Sequence, residues 1–156
     1  MAQIHSIVYR PLDRPYTGQK TDFIRTPLQS AQLIAGHGLQ GDAKAGHHPD
    51  RQVNLLSLDW LQRLSPQGYL TAPGQFGEQL ILAGLDLENL VPGDRLQLGD
   101  AVLLEITKPR SGCSRLEAAQ GIASHITQGT IGMMAKVVTG GAIQVGDKVI
   151  SLPASL

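Results

Sequence analysis

Tight turns set the grain of this sequence. Val91-Pro92-Gly93-Asp94, Gly99-Asp100, Gly140-Gly141 and Gly146-Asp147 each stand beside a short run of β-branched and aliphatic residues. Eighteen glycines and nine prolines in a chain that is 42% hydrophobic leave room for many short elements and few long helices. The predicted fold class is therefore mainly β with a few short helices, of the kind a small barrel needs. At 156 residues the chain is most simply one domain and buries enough surface to need no disulfide or metal staple.

The runs between the turns place the elements. Residues 3–9 alternate as a first strand, and 10–27 read as a long polar surface loop, a lid or an irregular connection, punctuated by Pro11, Pro15, Gly18 and Pro27. A strand is expected over 29–34 and another over 52–56. Ser57 then caps a helix whose Leu58, Leu61 and Leu64 share a face. After a loop over 65–74 the pattern returns to strand at Phe76-Gly77-Glu78-Gln79-Leu80-Ile81-Leu82. Strands follow at 95–98, from Val102 to a stop at Pro109, and over 133–139. A hairpin turn is expected at Gly140-Gly141, and a last strand ends near Leu152.

Thirteen basic residues balance thirteen acidic ones, and aromatic residues make up 4% of the chain. Neither the basic excess nor the stacking platforms of a general nucleic-acid binder are present. One cysteine cannot form an internal disulfide. The N-terminus lacks the charged and apolar regions of a signal peptide, and no apolar stretch approaches the ~20 residues of a membrane span. A cytoplasmic protein is expected.

That cysteine, Cys113, lies where strand periodicity gives way to helical spacing at Leu116, Ala119, Ile122 and Ile126. A helix N-terminus flanked by Arg110 and Arg115 favours a thiolate. A buried structural cysteine is the competing reading. A second span, 35–53, holds four glycines, His37, His47, His48, Lys44 and Arg51, a loop suited to an anion. Its histidines match no structural zinc spacing, so no structural zinc is expected.

Taken together, Gly38-Leu39-Gln40-Gly41-Asp42, Asp50-Arg51-Gln52-Val53, Phe76-Gly77-Glu78-Gln79-Leu80, Pro92-Gly93-Asp94-Arg95-Leu96, Pro109-Arg110 with Cys113 and Leu116, and Val145-Gly146-Asp147 resemble, in order, the MOSC domains. These are named for the C-terminal part of molybdenum cofactor sulfurase. The resemblance spans about residues 4–152 and implies a single stand-alone MOSC domain over 1–156, folded as a closed β-barrel. It further implies a molybdenum-pterin cofactor, with Cys113 as sulfur carrier or molybdenum ligand and N-hydroxylated bases as substrates to be reduced. Cofactor contacts fall on Gly41, Asp42, Arg51, Gly77, Glu78 and Arg110, with Lys44, His47, His48 and Arg115 beside them. Two positions depart from the family pattern. Gly112 replaces the usual proline before the cysteine, and Lys44 stands where a histidine commonly follows Gly-Asp. The alternative is a non-catalytic module that delivers or binds a cofactor or sulfur, with a sulfur donor or acceptor protein as partner.

Overall fold

The computed structural model describes residues 1–13, 17, 25–112, 116, 120 and 130–154. The described residues are mainly β, with one α-helix bounded on both sides. Eleven strands run in chain order: β1 (Gln3–Tyr9), β2 (Thr26–Leu28), β3 (Ser30–Ile34), β4 (Gly38–Leu39), β5 (Val53–Ser57), β6 (Leu80–Ala83), β7 (Arg95–Leu98), β8 (Val102–Ser111), β9 (Thr130–Thr139), β10 (Gly141–Gln144) and β11 (Val149–Leu152). The helix α1 (Leu58–Leu64) lies between β5 and β6. Ser57 caps it through its hydroxyl, which accepts from the Trp60 N–H at 3.3 Å.

Eight strands form one sheet in the order β11-β7-β8-β9-β5-β6-β1-β2, and β10-β3-β4 form a second. The N-terminal end of β1 approaches the segment that leads into β11. Gln3 bridges to Lys148, Ile4 N–H donates to the Asp147 carbonyl at 2.9 Å, and Val149 N–H donates to Ala2 at 3.0 Å. Apolar side chains from both sheets share one core, including Ile4, Leu33, Leu55, Leu80, Leu96, Leu104 and Ala135.

Every pairing in the large sheet is antiparallel except β5 with β6. A parallel pair cannot be joined by a tight hairpin and needs a long crossover. Here the crossover is α1, a 3-10 turn (Ser65–Gln67) and the segment 68–79. Its Leu61, Leu64 and Phe76 join Leu56 of β5, Ile81 of β6, Ile131 of β9 and Leu116 in a second apolar cluster. Trp60 meets Phe76 edge-on, with ring centroids 5.3 Å apart.

Three local expectations are corrected. Pro109 does not end β8, which runs on to Ser111. Beyond Ile106 the strand pairs, among the described residues, only with β9, and an edge tolerates the missing N–H. Residues 76–79 form a turn, with strand resuming at Leu80, because Gly77 sits at φ 70° and the Glu78 side chain binds backbone rather than alternating with its neighbours. Gly140-Gly141 makes no hairpin between β9 and β10. It hands the chain to the second sheet, where β10 pairs with β3.

Gly132 on β9 shows how closely β9 and β5 pack. A Cβ there would lie 2.3 Å from the Leu55 carbonyl oxygen and 2.7 Å from Leu56 Cδ2. Neither strand can yield without breaking its pairing. Gly132→Ala is expected to destabilise the fold by about 3 kcal/mol or more, the upper range of overpacking. A thermal melt should show this as a fall of roughly 10 °C; a shift within experimental scatter would refute the tight packing.

Candidate functional site

The crossover turn at 72–78 is built around a buried carboxylate. Glu78 is 1% exposed. Its Oε2 accepts from Gly74 N–H at 2.6 Å and its Oε1 from Phe76 N–H at 3.2 Å. Arg110, carried in by the long β8, donates through Nη2 to the Phe76 carbonyl of the same turn. The backbone of Arg25 lies against Gly74, whose absent Cβ would stand 3.0 Å from Arg25 N. One turn thus seats Glu78, Arg110 and Arg25.

A second carboxylate stands close by. Asp42 Oδ1 accepts from Arg10 N–H at 3.0 Å and Oδ2 from Gln79 Nε2 at 3.1 Å. Gln79 Oε1 in turn accepts from Asn54 N–H at 2.7 Å. Arg10, Arg25 and Arg110 are all buried, with exposures of 6–7%. Burial pulls the Arg25 guanidinium down to about 10, Asp42 and Glu78 pull it back up, and Arg10 and Arg110 repel it. The other four charges therefore all lie close enough to Arg25 to act on it. Among the described residues, three guanidiniums and two carboxylates share this region. For Glu78, burial raises the carboxyl above its ordinary value of 4.5, against its backbone hydrogen bonds and Arg110, which lower it.

The expected site residues divide. Asp42, Glu78 and Arg110 come together, and Gly41 and Gly77 supply left-handed backbone beside the two carboxylates, at φ 82° and 70°. Lys44, His47, His48 and Arg51 are exposed. His47 Nε2 lies 2.9 Å from the Ala43 carbonyl, and His48 Nδ1 accepts from Asp50 N–H at 3.1 Å. Cys113 and Arg115 lie outside the described residues. Among the described residues no three His, Cys, Asp or Glu side chains converge as metal ligands. Arg10 and Arg25, read from sequence as part of a polar surface loop, are buried, which corrects that expectation. The signal was faint: two arginines at the ends of a proline-rich loop, with no motif around them.

Other motifs turn out to be scaffold. The Asp94 carboxylate accepts from Val91 N–H and Ala154 N–H, both at 2.9 Å, which holds its side chain below the ordinary carboxylate value. Gln52, beside Arg51, ties Pro49 to Val137 by two hydrogen bonds of 2.9 Å.

Buried guanidiniums are the chemistry that suits an anionic group with acceptor oxygens. Asn54 Oδ1 is buried without a hydrogen-bond partner.

Glu78→Gln leaves one backbone N–H facing an amide nitrogen, and a loss of about 1–3 kcal/mol is expected. The wild-type carboxyl ionises less readily folded than unfolded. Its contribution to stability is thus full at and below 4.5 and is lost as pH rises through the raised folded value. The melting temperature of the wild type should therefore fall relative to Glu78→Gln as pH rises above 4.5. Parallel pH profiles would show Glu78 ionised throughout.

Comparison with known proteins places the chain in a family. The model of the MOSC domain family matches residues 42–150. A protein named "Reductase" from Gibberella moniliformis (strain M3125 / FGSC 7600) is 32% identical over 126 residues, 78% of this chain but 22% of that protein. The uncharacterized protein YflK of Bacillus subtilis (strain 168) is 28% identical over 151 residues, 88% of this chain and 66% of YflK. This chain therefore spans under a quarter of the first relative and about two thirds of the second. Among solved structures, YiiM from Escherichia coli superposes with a TM-score of 0.67 at 25% identity, covering 98% of this chain and 71% of that one. YiiM from Geobacillus stearothermophilus gives 0.72 at 20% identity, covering 97% and 75%. The second is a likeness of fold alone. The chain belongs to the MOSC domain family.

Proposed function

We propose that this chain binds a molybdenum-pterin cofactor at the Arg10, Arg25 and Arg110 cluster, with Cys113 as its sulfur ligand or sulfur carrier, and that it reduces N-hydroxylated substrates. The observation that carries this reading is the buried set of three guanidiniums against two carboxylates. Guanidinium suits phosphate through paired N–H donors. When bound, the cofactor supplies the redox chemistry through its thiophilic metal. The chain's part is to bind and orient. Asp42 and Glu78 fix their neighbours through main-chain hydrogen bonds, while Asn54 Oδ1 offers an acceptor to a heterocycle N–H.

Reductase activity draws support from the name of the Gibberella relative. The backbone bonds joining Ala2 and Ile4 to residues 147–149 favour a closed barrel, with residues 4–152 as one unit.

The test is elemental analysis of protein made anaerobically in a host that synthesises the cofactor. Stoichiometric molybdenum is expected in the wild type. Cys113→Ala should lose the metal, and its retention would assign the domain instead to cofactor delivery. Arg25→Ala should weaken cofactor binding at least about tenfold. Arg51→Ala, at an exposed position, should stay within about 0.5 kcal/mol. Wild-type protein free of molybdenum under these conditions would overturn the proposal.

A further inference from the structure

Gln79, the residue before β6, is a buried amide, 1% exposed. Its Oε1 accepts from Asn54 N–H at 2.7 Å, and its Nε2 donates to Asp42 Oδ2 at 3.1 Å. A peptide N–H can only donate, so the amide has one orientation: oxygen toward Asn54, nitrogen toward Asp42. The root of the side chain is fixed as well. Gln79 N–H donates to the Asn54 carbonyl at 3.1 Å, and the Gln79 carbonyl accepts from Val8 N–H at 2.9 Å. Asp42 stands in the loop after β4, and its other oxygen accepts from Arg10 N–H. Neutral donors therefore grip this carboxylate at both oxygens. Burial works against the Arg25 guanidinium, and Asp42 offsets this more than Glu78 does.

From these contacts we infer that Gln79 is a positioning residue, which aims the Asp42 carboxylate at Arg25 and so arranges the arginine cluster for an anion. The inference rests on the proposed role of that cluster. It explains why a fully buried position carries an amide. A methionine would fill the space but leave the Asn54 N–H and Asp42 Oδ2 without this partner. An ionised glutamate would set like charges against each other. Only a neutral side chain with an acceptor and a donor joins the β5 backbone to Asp42.

The test reads the Arg25 Nε–H resonance in the nitrogen-15-labelled full chain, assigned by its loss in Arg25→Lys. Gln79→Met keeps length while removing both side-chain bonds, and should move the resonance by more than its linewidth. Gln79→Asn, one methylene too short to span both partners, should do the same even where the methionine variant folds poorly. At about pH 5 a glutamate buried against Asp42 keeps its proton, accepts from Asn54 and donates to Asp42. Gln79→Glu should therefore return the resonance to its wild-type position there. In an Asp42→Asn background, Gln79→Met should add no further shift, because the effect runs through Asp42. Leu96→Ala, which loosens the core within the sheet, should leave the resonance in place. A resonance unmoved in both Gln79→Met and Gln79→Asn would overturn the inference. So would a shift just as large in the Asp42→Asn background. Molybdenum content of the unlabelled wild type tests the cofactor reading separately, so either can fail alone.

Discussion

The arrangement of the site depends on one buried carboxylate. Glu78 accepts two main-chain N–H groups from its own turn, and without it those donors would be buried and unsatisfied. The turn so fixed presents the Phe76 carbonyl to Arg110 and a bare glycine face at Gly74 to the Arg25 backbone. It also points the Phe76 ring at Trp60 and the rest of the outer apolar cluster. A single side chain thereby couples packing outside the sheet to the placement of two cations. The coupling has a physical cost, since the carboxylate is held in a desolvated place and resists ionisation. Nearby arginines offset that cost, so the positive cluster and the negative anchor need each other.

This explains the placement of the site in the fold. Antiparallel neighbours need only short turns, and most of the large sheet is made that way. The β5–β6 pair is the exception and forces a long excursion of chain over one face. Irregular backbone has many unpaired polar groups, and these are what Glu78 and Gln120 satisfy. The site has grown where the topology requires loose chain to be tied down.

The alternation of short apolar runs and Gly/Pro turns made the β-rich class, α1 with its Ser57 cap, and most strands legible in the sequence. The motifs made three of the five residues of the buried cluster legible: Asp42, Glu78 and Arg110 were identified by family pattern and stand together. Arg10 and Arg25 were not. Their burial comes from long-range packing, Arg25 against Gly74 and Arg10 through its backbone to Asp42, and no local periodicity records such contacts. Conversely, Lys44, His47, His48 and Arg51 have the right chemistry but are exposed to solvent. Residue type names what a side chain can do; only the path of the chain decides where it does it. Pro109 makes the same point for the backbone. A proline ends a strand where both edges are paired, but β8 has lost one neighbour before it reaches that residue.

The ordered motifs of the family therefore do two different jobs. Pro92-Gly93-Asp94 pins residue 154 and the β7–β8 end of the sheet, and Gly146-Asp147 joins that end to β1. Neither reaches the arginines. Gly41-Asp42, Gly77-Glu78 and Arg110 do, and each arrives from a different part of the sheet: the loop after β4, the start of β6 and the far end of β8. Three unconnected segments can hold charges in a common buried volume only if the sheet between them is rigid. The turn motifs supply that rigidity at a distance, by fixing strand ends and so the register of every strand between them. On this argument scaffold and site residues are constrained together although they never touch, and the tight β5–β9 contact at Gly132 belongs to the same constraint.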